Sequence, residues 1–598
     1  MRFLSTLLAS ALGTLIAFGV LVLFLFFFFF ALALSGDQEP PVTPNSILVA
    51  EIDGSIPERV SDDPFQKAFG DGADYDLRDL QTALRNAAAD DRIRGVWLRM
   101  KGTNASWATL EEVRSSLLAF RESGKPVIAS SGEFGMGEKE YFLATAADSV
   151  FSAPVSPFEL NGFVSTATFF KNALDRLNIE SKTVRAGKYK SAVEPFLRDD
   201  LSEPNRQQLT ALLETTNSRF KEGVSATRGI TPDELEQMAD ENAVLDAAVA
   251  ADRGLIDGLR YEDEVADVFR GVLDLAASAD VPTIALDNYS RQSASDAGIT
   301  TTGNGSVAIV YAEGQIIPGE SPDFSSNGQI GSTTLIEAVR DAQEASDVKA
   351  IVLRVNSPGG SAAASEVMWR ALQDASDDKP LIVSMGNLAA SGGYYIAAPA
   401  DTIVANPTTI TGSIGVFGQF FNTREFFNEK LGVTFDAIQT SPYADIYSFV
   451  EPFSDAERRL LAASIDRTYD TFLERVAAGR GMDTSAVNDV AQGRVWSGRD
   501  ALDAGLVDTL GTLEDAIAIA GRAGGLGEGP YRTRILPRPK TFFERLNQEL
   551  YGQAASVWQS LGRSEIEQEL LRQKRMLEQA VGRHGTVQAR LPFDIRIH

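Results

Sequence analysis

An α/β protein made of two tandem copies of one domain is the architecture this 598-residue sequence predicts, and three observations carry it. First, Tyr141-Phe142-Leu143-Ala144-Thr145-Ala146-Ala147-Asp148 returns roughly 250 residues later as Tyr394-Tyr395-Ile396-Ala397-Ala398-Pro399-Ala400-Asp401, and so long a period marks duplicated domains, not a solenoid of short repeats. Second, short β-branched runs alternate with helix-length segments, the pattern of buried, largely parallel strands covered by helices. Third, the chain is too long for one ordinary core, while 44% hydrophobic and 23% charged residues supply a globular interior to each half.

The elements follow in order. Residues Phe3 to Leu34 are apolar apart from Ser5, Thr6, Ser10 and Thr14. A stretch of roughly 30 residues exceeds both the ~20 needed to span a bilayer and the ~7 to 15 of a secretory core, which favours an uncleaved transmembrane helix over a removed signal. Ala31-Leu32-Ala33 does have the small-x-small form of a cleavage site, and a mature N-terminus at Leu34 would mark removal. Arg2 precedes the span and Asp37 and Glu39 follow it, so the positive-inside rule puts the short end in the cytoplasm and the body outside. In a bacterium with an outer membrane, that is a single-pass inner-membrane protein with a periplasmic body. The expected units are an anchor and linker start at 1–36, a first repeat at 46–275, a connector at 276–304, a second repeat at 305–524 and a tail at 525–598.

Within the repeats, Ser46-Ile47-Leu48-Val49-Ala50 matches Ser306-Val307-Ala308-Ile309-Val310 as the opening strand. A helix follows, in which Leu80, Ala83 and Ala87 recur as Leu335, Ala338 and Ala342. The strand Gly95-Val96-Trp97-Leu98-Arg99 recurs as Ala350-Ile351-Val352-Leu353-Arg354, and each copy closes on Gly254-Leu255-Ile256-Asp257 or Gly505-Leu506-Val507-Asp508. In the tail, Glu565 to Ala580 is rich in Glu, Gln, Leu and Arg and reads as a packing or oligomer-contact helix.

Composition excludes several functions. A net charge of −27 leaves no basic face for nucleic acid. With no cysteine, thiolate nucleophiles and zinc held on sulfur are absent, and no metal site or cofactor is implied. The two histidines, His584 and His598, lie outside the repeats, so a Ser-His-Asp triad is excluded and any acyl transfer needs another base, for which lysine is the standard substitute.

The residues able to do such chemistry are divided between the copies. Ser391, in Ala389-Ala390-Ser391-Gly392-Gly393-Tyr394-Tyr395, follows a strand and opens a helix, where Gly392 allows close approach and offers its N–H to an oxyanion. Glu138 stands at the equivalent place in the first copy. Asn356-Ser357-Pro358-Gly359-Gly360-Ser361 occurs only in the copy that holds Ser391, and adjacent glycines after a strand can aim the Gly359 N–H at an anion. Ser413, in Thr411-Gly412-Ser413-Ile414-Gly415, aligns with Leu160 and is a candidate to orient a base. Lys190 is the candidate base, in Gly187-Lys188-Tyr189-Lys190-Ser191-Ala192, with Lys188 a competitor that spacing does not eliminate. An ordinary lysine near pKa ~10.4 is protonated at neutrality, so the role demands burial without a carboxylate partner. A cleft between two domains supplies that.

Taken together, Ser-Pro-Gly-Gly, Ala-Ser-Gly-Gly-Tyr-Tyr, Gly-Ser-Ile-Gly-Val, an upstream Tyr-Lys-Ser-Ala and one anchor resemble the signal peptide peptidase SppA family in its long, duplicated bacterial form. The resemblance implies tandem ClpP/crotonase-like domains and a Ser-Lys dyad endopeptidase that degrades signal peptides and other apolar peptides at the inner membrane. It also implies a homotetramer and no cofactor. Motif match puts the nucleophile on Ser391, the general base on Lys190 rather than Lys188, the oxyanion donors on Gly359 and Gly392, and a lysine-coordinating role on Ser413. Two other readings compete. One is a crotonase-type acyl-CoA hydratase or isomerase, which an exported enzyme has no evident coenzyme A to serve. The other is a non-catalytic membrane scaffold, which has no reason to retain one complete site split across two copies.

Overall fold

The computed structural model describes residues 13–14, 16–20, 23–24, 41–60, 73, 75–241, 244–301, 304–322, 328–538 and 588–590. Most of the apolar N-terminal segment and the whole of Glu565 to Ala580 lie outside the described residues. Among those described, no helix is long and apolar enough to cross a membrane.

Each half is built on a largely parallel sheet, as the buried apolar runs require. In the first half the order is Gly258–Leu259, Ser149–Ser152, Val127–Ser130, Ile93–Thr103, Ser46–Gly54 and Thr283–Ala285, all parallel. In the second half, Ile410–Gly412, Leu381–Ala390, Val348–Ser357, Ser306–Glu313 and Arg532–Leu536 run parallel, and Val495–Ser497 closes one edge antiparallel. Thr283–Ala285 and Arg532–Leu536 are matching edge strands. The first sheet therefore reaches into the expected connector at 276–304, and the second into the expected tail at 525–598.

Local chemistry explains the helices. Leu77–Ala89 starts at a capping box, in which the Asp76 carboxylate accepts from Asp79 N–H and the Asp79 carboxylate from Asp76 N–H. It buries Leu80, Ala83, Leu84 and Ala87 at helical spacing, and Ser332–Glu344 buries Leu335, Ala338, Val339 and Ala342 in the same way. Two 26-residue helices, Glu203–Arg228 and Asp455–Arg480, each begin at a serine cap and end at a left-handed glycine, Gly229 or Gly481.

The duplication extends to individual hydrogen bonds. Tyr141 Oη donates to the Leu255 carbonyl and Tyr394 Oη to the Leu506 carbonyl, both at 2.7 Å. Asp148 and Asp401 each accept from the first N–H of the neighbouring strand, at Val127 and Leu381, both at 2.8 Å. All four of these polar side chains stand in the repeated octapeptide, which ties the sequence match to the contacts that close each domain.

The halves are joined by buried charge. Arg354, 1% exposed in the second sheet, donates to Glu58 and Glu112 of the first half, with Nε 2.9 Å and Nη1 2.7 Å from their oxygens. Asn406 and Gln81 also donate to Glu112. Burial works against the arginine's charge, but the Glu112 and Glu58 carboxylates outweigh it and push its pKa up.

Candidate active site

Ser391 caps the short helix Gly392–Ala397 at the end of the strand Leu381–Ala390. Its backbone sits at φ 55° and ψ −114°, a region costly for any residue with a Cβ. Two bonds impose it: Ser391 N–H donates to Gly412 O at 2.8 Å, and Ser391 O accepts from Tyr395 N–H at 2.9 Å. Gly393 is required beside it, because a Cβ there would lie 2.7 Å from the Ser357 carbonyl. Ser413 is also held at positive φ, 49°, with its N–H donating to Arg494 O at 2.6 Å.

Lys190 reaches this site because a strand of the first half leaves its own sheet. Glu180–Ala186 pairs antiparallel with Val416–Asn422 of the second half, in register from Val416 opposite Ala186 to Asn422 opposite Glu180. The chain then turns at Gly187, where Tyr189 N–H donates to Gln492 O at 2.9 Å and Arg185 Nη1 donates to Lys190 O at 3.0 Å. Gly493 lies against Lys190, and a Cβ on it would come within 2.6 Å of the lysine Cβ.

The side chains meet within one chain. Lys190 Nζ lies 2.8 Å from Ser391 Oγ, 2.9 Å from Ser413 Oγ and 2.9 Å from Ser413 O, and all three residues are 0% exposed. All three contacts are ones in which the amine donates, to Ser391 Oγ, Ser413 Oγ and Ser413 O. Burial pushes the Lys190 pKa well below 10.5, and no carboxylate opposes the shift. Lys188, by contrast, lies over the Tyr189 ring, 5.1 Å from its centroid.

Of the expected oxyanion donors, Gly392 directly follows Ser391, and its N–H belongs to a first helical turn without an intrahelical acceptor. Gly359 stands two residues beyond Ser357, which pairs with Ala389, two residues before the serine. Its φ of +89° is one that glycine adopts without strain. The Gly359 N–H donates to Ser357 Oγ at 3.1 Å, an engagement a developing oxyanion would have to replace.

The first copy shows what a filled site looks like. Glu138, in place of Ser391, accepts from Asn161 and Gly162 N–H at 2.6 and 2.9 Å, which occupies the equivalent turn. Residues that sequence reading missed act on the base. Gln208 of the first-half helix donates to Ser191 Oγ at 2.9 Å and accepts from Val495 N–H at 3.1 Å, fastening the lysine segment to the second half. A glutamine in a polar helix carries no signal of that contact.

The lowered pKa of Lys190 makes a specific prediction. Burial holds the native amine's pKa well below 10.5 while the unfolded chain keeps it protonated up to 10.5, so between the two the unfolded state binds more protons. Stability is therefore expected to rise with pH from the depressed pKa to 10.5, and Lys190→Met to abolish that slope. Urea unfolding at several pH values measures it.

The model of peptidase family S49 matches residues 119–275 and 373–526, one segment carrying Lys190 and the other Ser391 and Ser413. The chain belongs to peptidase family S49. Among its curated S49 relatives, Protease 4 of Salmonella typhi is 36% identical over 80% of this chain and 78% of its own. The chloroplastic serine protease SPPA of Arabidopsis thaliana is 34% identical over 84% and 72%, and Protease 4 of Haemophilus influenzae is 34% identical over 73% and 71%. Alignments of that length take in both copies, as expected of the long, duplicated SppA form. A solved membrane-bound stomatin-specific protease is 17% identical over 39% of this chain and 99% of its own, with a TM-score of 0.25. As an S49 member the protein is a serine protease, which removes the hydratase and scaffold readings.

Proposed function

We propose that this S49 protease is a membrane-anchored endopeptidase that degrades cleaved signal peptides and other apolar peptides at the periplasmic face of the inner membrane. The observation that carries the mechanism is the 2.8 Å separation of Lys190 Nζ and Ser391 Oγ in a buried site where no carboxylate among the described residues pairs with the lysine. Neutral Lys190 takes the Ser391 proton as Oγ attacks the peptide carbonyl, while Ser413 holds the amine in line. The Gly359 and Gly392 N–H groups receive the oxyanion, each such donor being worth roughly a hundred- to a thousand-fold in rate. Lys190 passes the proton to the leaving amine, and water, deprotonated by the same lysine, then releases the acyl group. Activity is expected to rise with pH and level off below 10.5 as the lysine loses its proton.

Anchoring is supported by the apolar run Phe3 to Leu34 with Arg2 before it and Asp37 and Glu39 after it. Assembly into a homotetramer is supported by apolar side chains left exposed on the segment 431–449, among them Leu431, Ile438, Tyr447 and Phe449. The test offers the full-length protein in detergent an apolar signal-peptide core and a polar peptide of equal length. Cleavage of the apolar peptide, with a fluorophosphonate adduct mapped to Ser391 by mass spectrometry, is the expected result. An adduct elsewhere, or equal cleavage of both peptides, would overturn the reading. Carbonate extraction and external protease digestion of spheroplasts check the anchor and its orientation.

A further inference from the structure

The two expected oxyanion donors belong to different helical arms. Gly392 opens the helix Gly392–Ala397, while Gly359 lies in the strand Gly359–Ser361, which runs through the capping serine Ser361 directly into the helix Ala362–Asp378. A hydrogen bond ties these two helices together, with Tyr395 Oη donating to Glu366 Oε2. A third helix, Asp455–Arg480, closes the other side. Its Arg475 donates from Nη2 to Glu366 Oε1 at 2.7 Å and lies over the Trp369 ring, 4.2 Å from the centroid, and its Phe472 packs with ring centroid 4.6 Å from that of Tyr395. Burial, and after it the Glu366 carboxylate, push the Tyr395 pKa up, so the phenol stays a donor. Burial works against the charge on Glu366, but Arg475 and Tyr395 outweigh it and hold that pKa down. Phenol to carboxylate is a charge-assisted hydrogen bond, roughly twice as strong as a neutral one.

The copy without the serine lacks this link. Glu111 takes the place of Glu366, at the same spacing after its own capping serine, Ser106. Phe142 takes the place of Tyr395 in the repeated octapeptide and has no hydroxyl to donate. The long helices are matched by Arg228 and Arg480, which bridge Asp257 and Asp508, and on that match Gly223 takes the place of Arg475. Glu111 pairs instead with Arg219, one helical turn earlier. The carboxylate is therefore common to both copies, whereas the phenol that uses it accompanies Ser391. Tyr395 N–H also donates to Ser391 O at 2.9 Å, so the phenol's anchor bears on the residue held at φ 55° and ψ −114°. A conformation of that kind persists only where its surroundings over-determine it. From this we infer that Tyr395 is a positioning residue, whose bond to Glu366 fixes the helix carrying Ser391 and Gly392 against the helix that follows Gly359 and so sets the spacing of the two oxyanion donors. The inference rests on the peptidase reading above. Oxyanion donors act on the tetrahedral intermediate, so the contribution of the clamp falls on the transition state and not on peptide binding.

The test uses the full chain in detergent with the apolar peptide. Tyr395→Phe, which installs the residue of the first copy, is expected to lower kcat about tenfold with KM unchanged, the scale of one hydrogen bond to a charged group. Glu366→Ala should do the same, and the double variant should lose no more than either alone. Glu366→Gln, which keeps an acceptor for the phenol, should retain most of the rate. A peptide aldehyde, whose adduct with Ser391 puts an oxygen where the oxyanion forms, should bind Tyr395→Phe about tenfold more weakly than it binds the parent. A purely structural role would give another pattern, with a lower denaturation midpoint, a raised KM and aldehyde affinity falling no further than substrate affinity. That pattern, or kcat and aldehyde affinity matching those of the parent, would overturn the inference. If the parent chain neither hydrolyses peptide nor binds the aldehyde, the peptidase reading fails and the clamp with it. If the parent is active and Tyr395→Phe matches it, the clamp fails alone.

Discussion

Ser391→Ala and Lys190→Ala are each expected to lower kcat for an apolar peptide by on the order of a million-fold, and the double variant by no more than either alone. The two groups act as one unit. Without Oγ there is no attacking atom. Without Nζ, 2.8 Å away, the hydroxyl loses the amine it is hydrogen-bonded to, and no carboxylate among the described residues perturbs that lysine. Single-turnover hydrolysis of the apolar peptide measures the loss. Circular dichroism must show both variants folded, and removing a buried amine that has no carboxylate counter-charge relieves a desolvation cost that offsets its lost hydrogen bonds, so Lys190→Ala is not expected to unfold the protein. Activity within tenfold of the parent in either variant would refute the dyad.

Arg354→Ala is expected to destabilise the protein by about 3–5 kcal/mol, the usual consequence of removing one partner from a buried ion pair. Glu58 and Glu112 would be left as buried carboxylates in the first half, facing the second half without their counter-charge. Arg85→Ala is the matched control. Arg85 pairs with Glu514 across the same junction at 2.9 Å, but both side chains are over a third exposed, and such a pair contributes about 0–1 kcal/mol. Denaturant titration of both variants gives the comparison. Because Arg354 ties together the domains that supply Lys190 and Ser391, its loss should also slow fluorophosphonate labelling of Ser391, which Arg85→Ala should leave unchanged.

The repeat, the alternation of strand and helix, and the candidate residues that the fold brings together were readable in the sequence because each leaves a local mark. Ser391 stood out because the other copy has Glu138 there, whose carboxylate accepts from the Asn161 and Gly162 N–H groups. Lys190 could be separated from Lys188 only by resemblance, whereas burial separates them by physics, with Lys190 enclosed at the serine and Lys188 lying over a tyrosine ring. Glu112 and Arg354 gave no warning. A glutamate in an amphipathic helix and an arginine at the end of a strand are ordinary, and their pairing joins positions 242 residues apart. Two edge strands were illegible for a related reason: Thr283–Ala285 and Arg532–Leu536 are too short to show periodicity and become strands only by joining an edge already formed.

By itself, then, the sequence determined the duplication, the α/β class of the copies and the absence of a histidine base in the repeats, and it named the candidates for the site, since composition, period and residue chemistry are properties of the chain read one segment at a time. Tertiary structure alone decided that Lys190 meets Ser391 within one chain, that burial lowers its pKa, that Arg354 holds the halves together and that Gln588–Arg590 lies beside Gly359. Each of those depends on what is packed against a group from hundreds of residues away. Desolvation and strand pairing are set by that neighbour, and the local sequence does not name it.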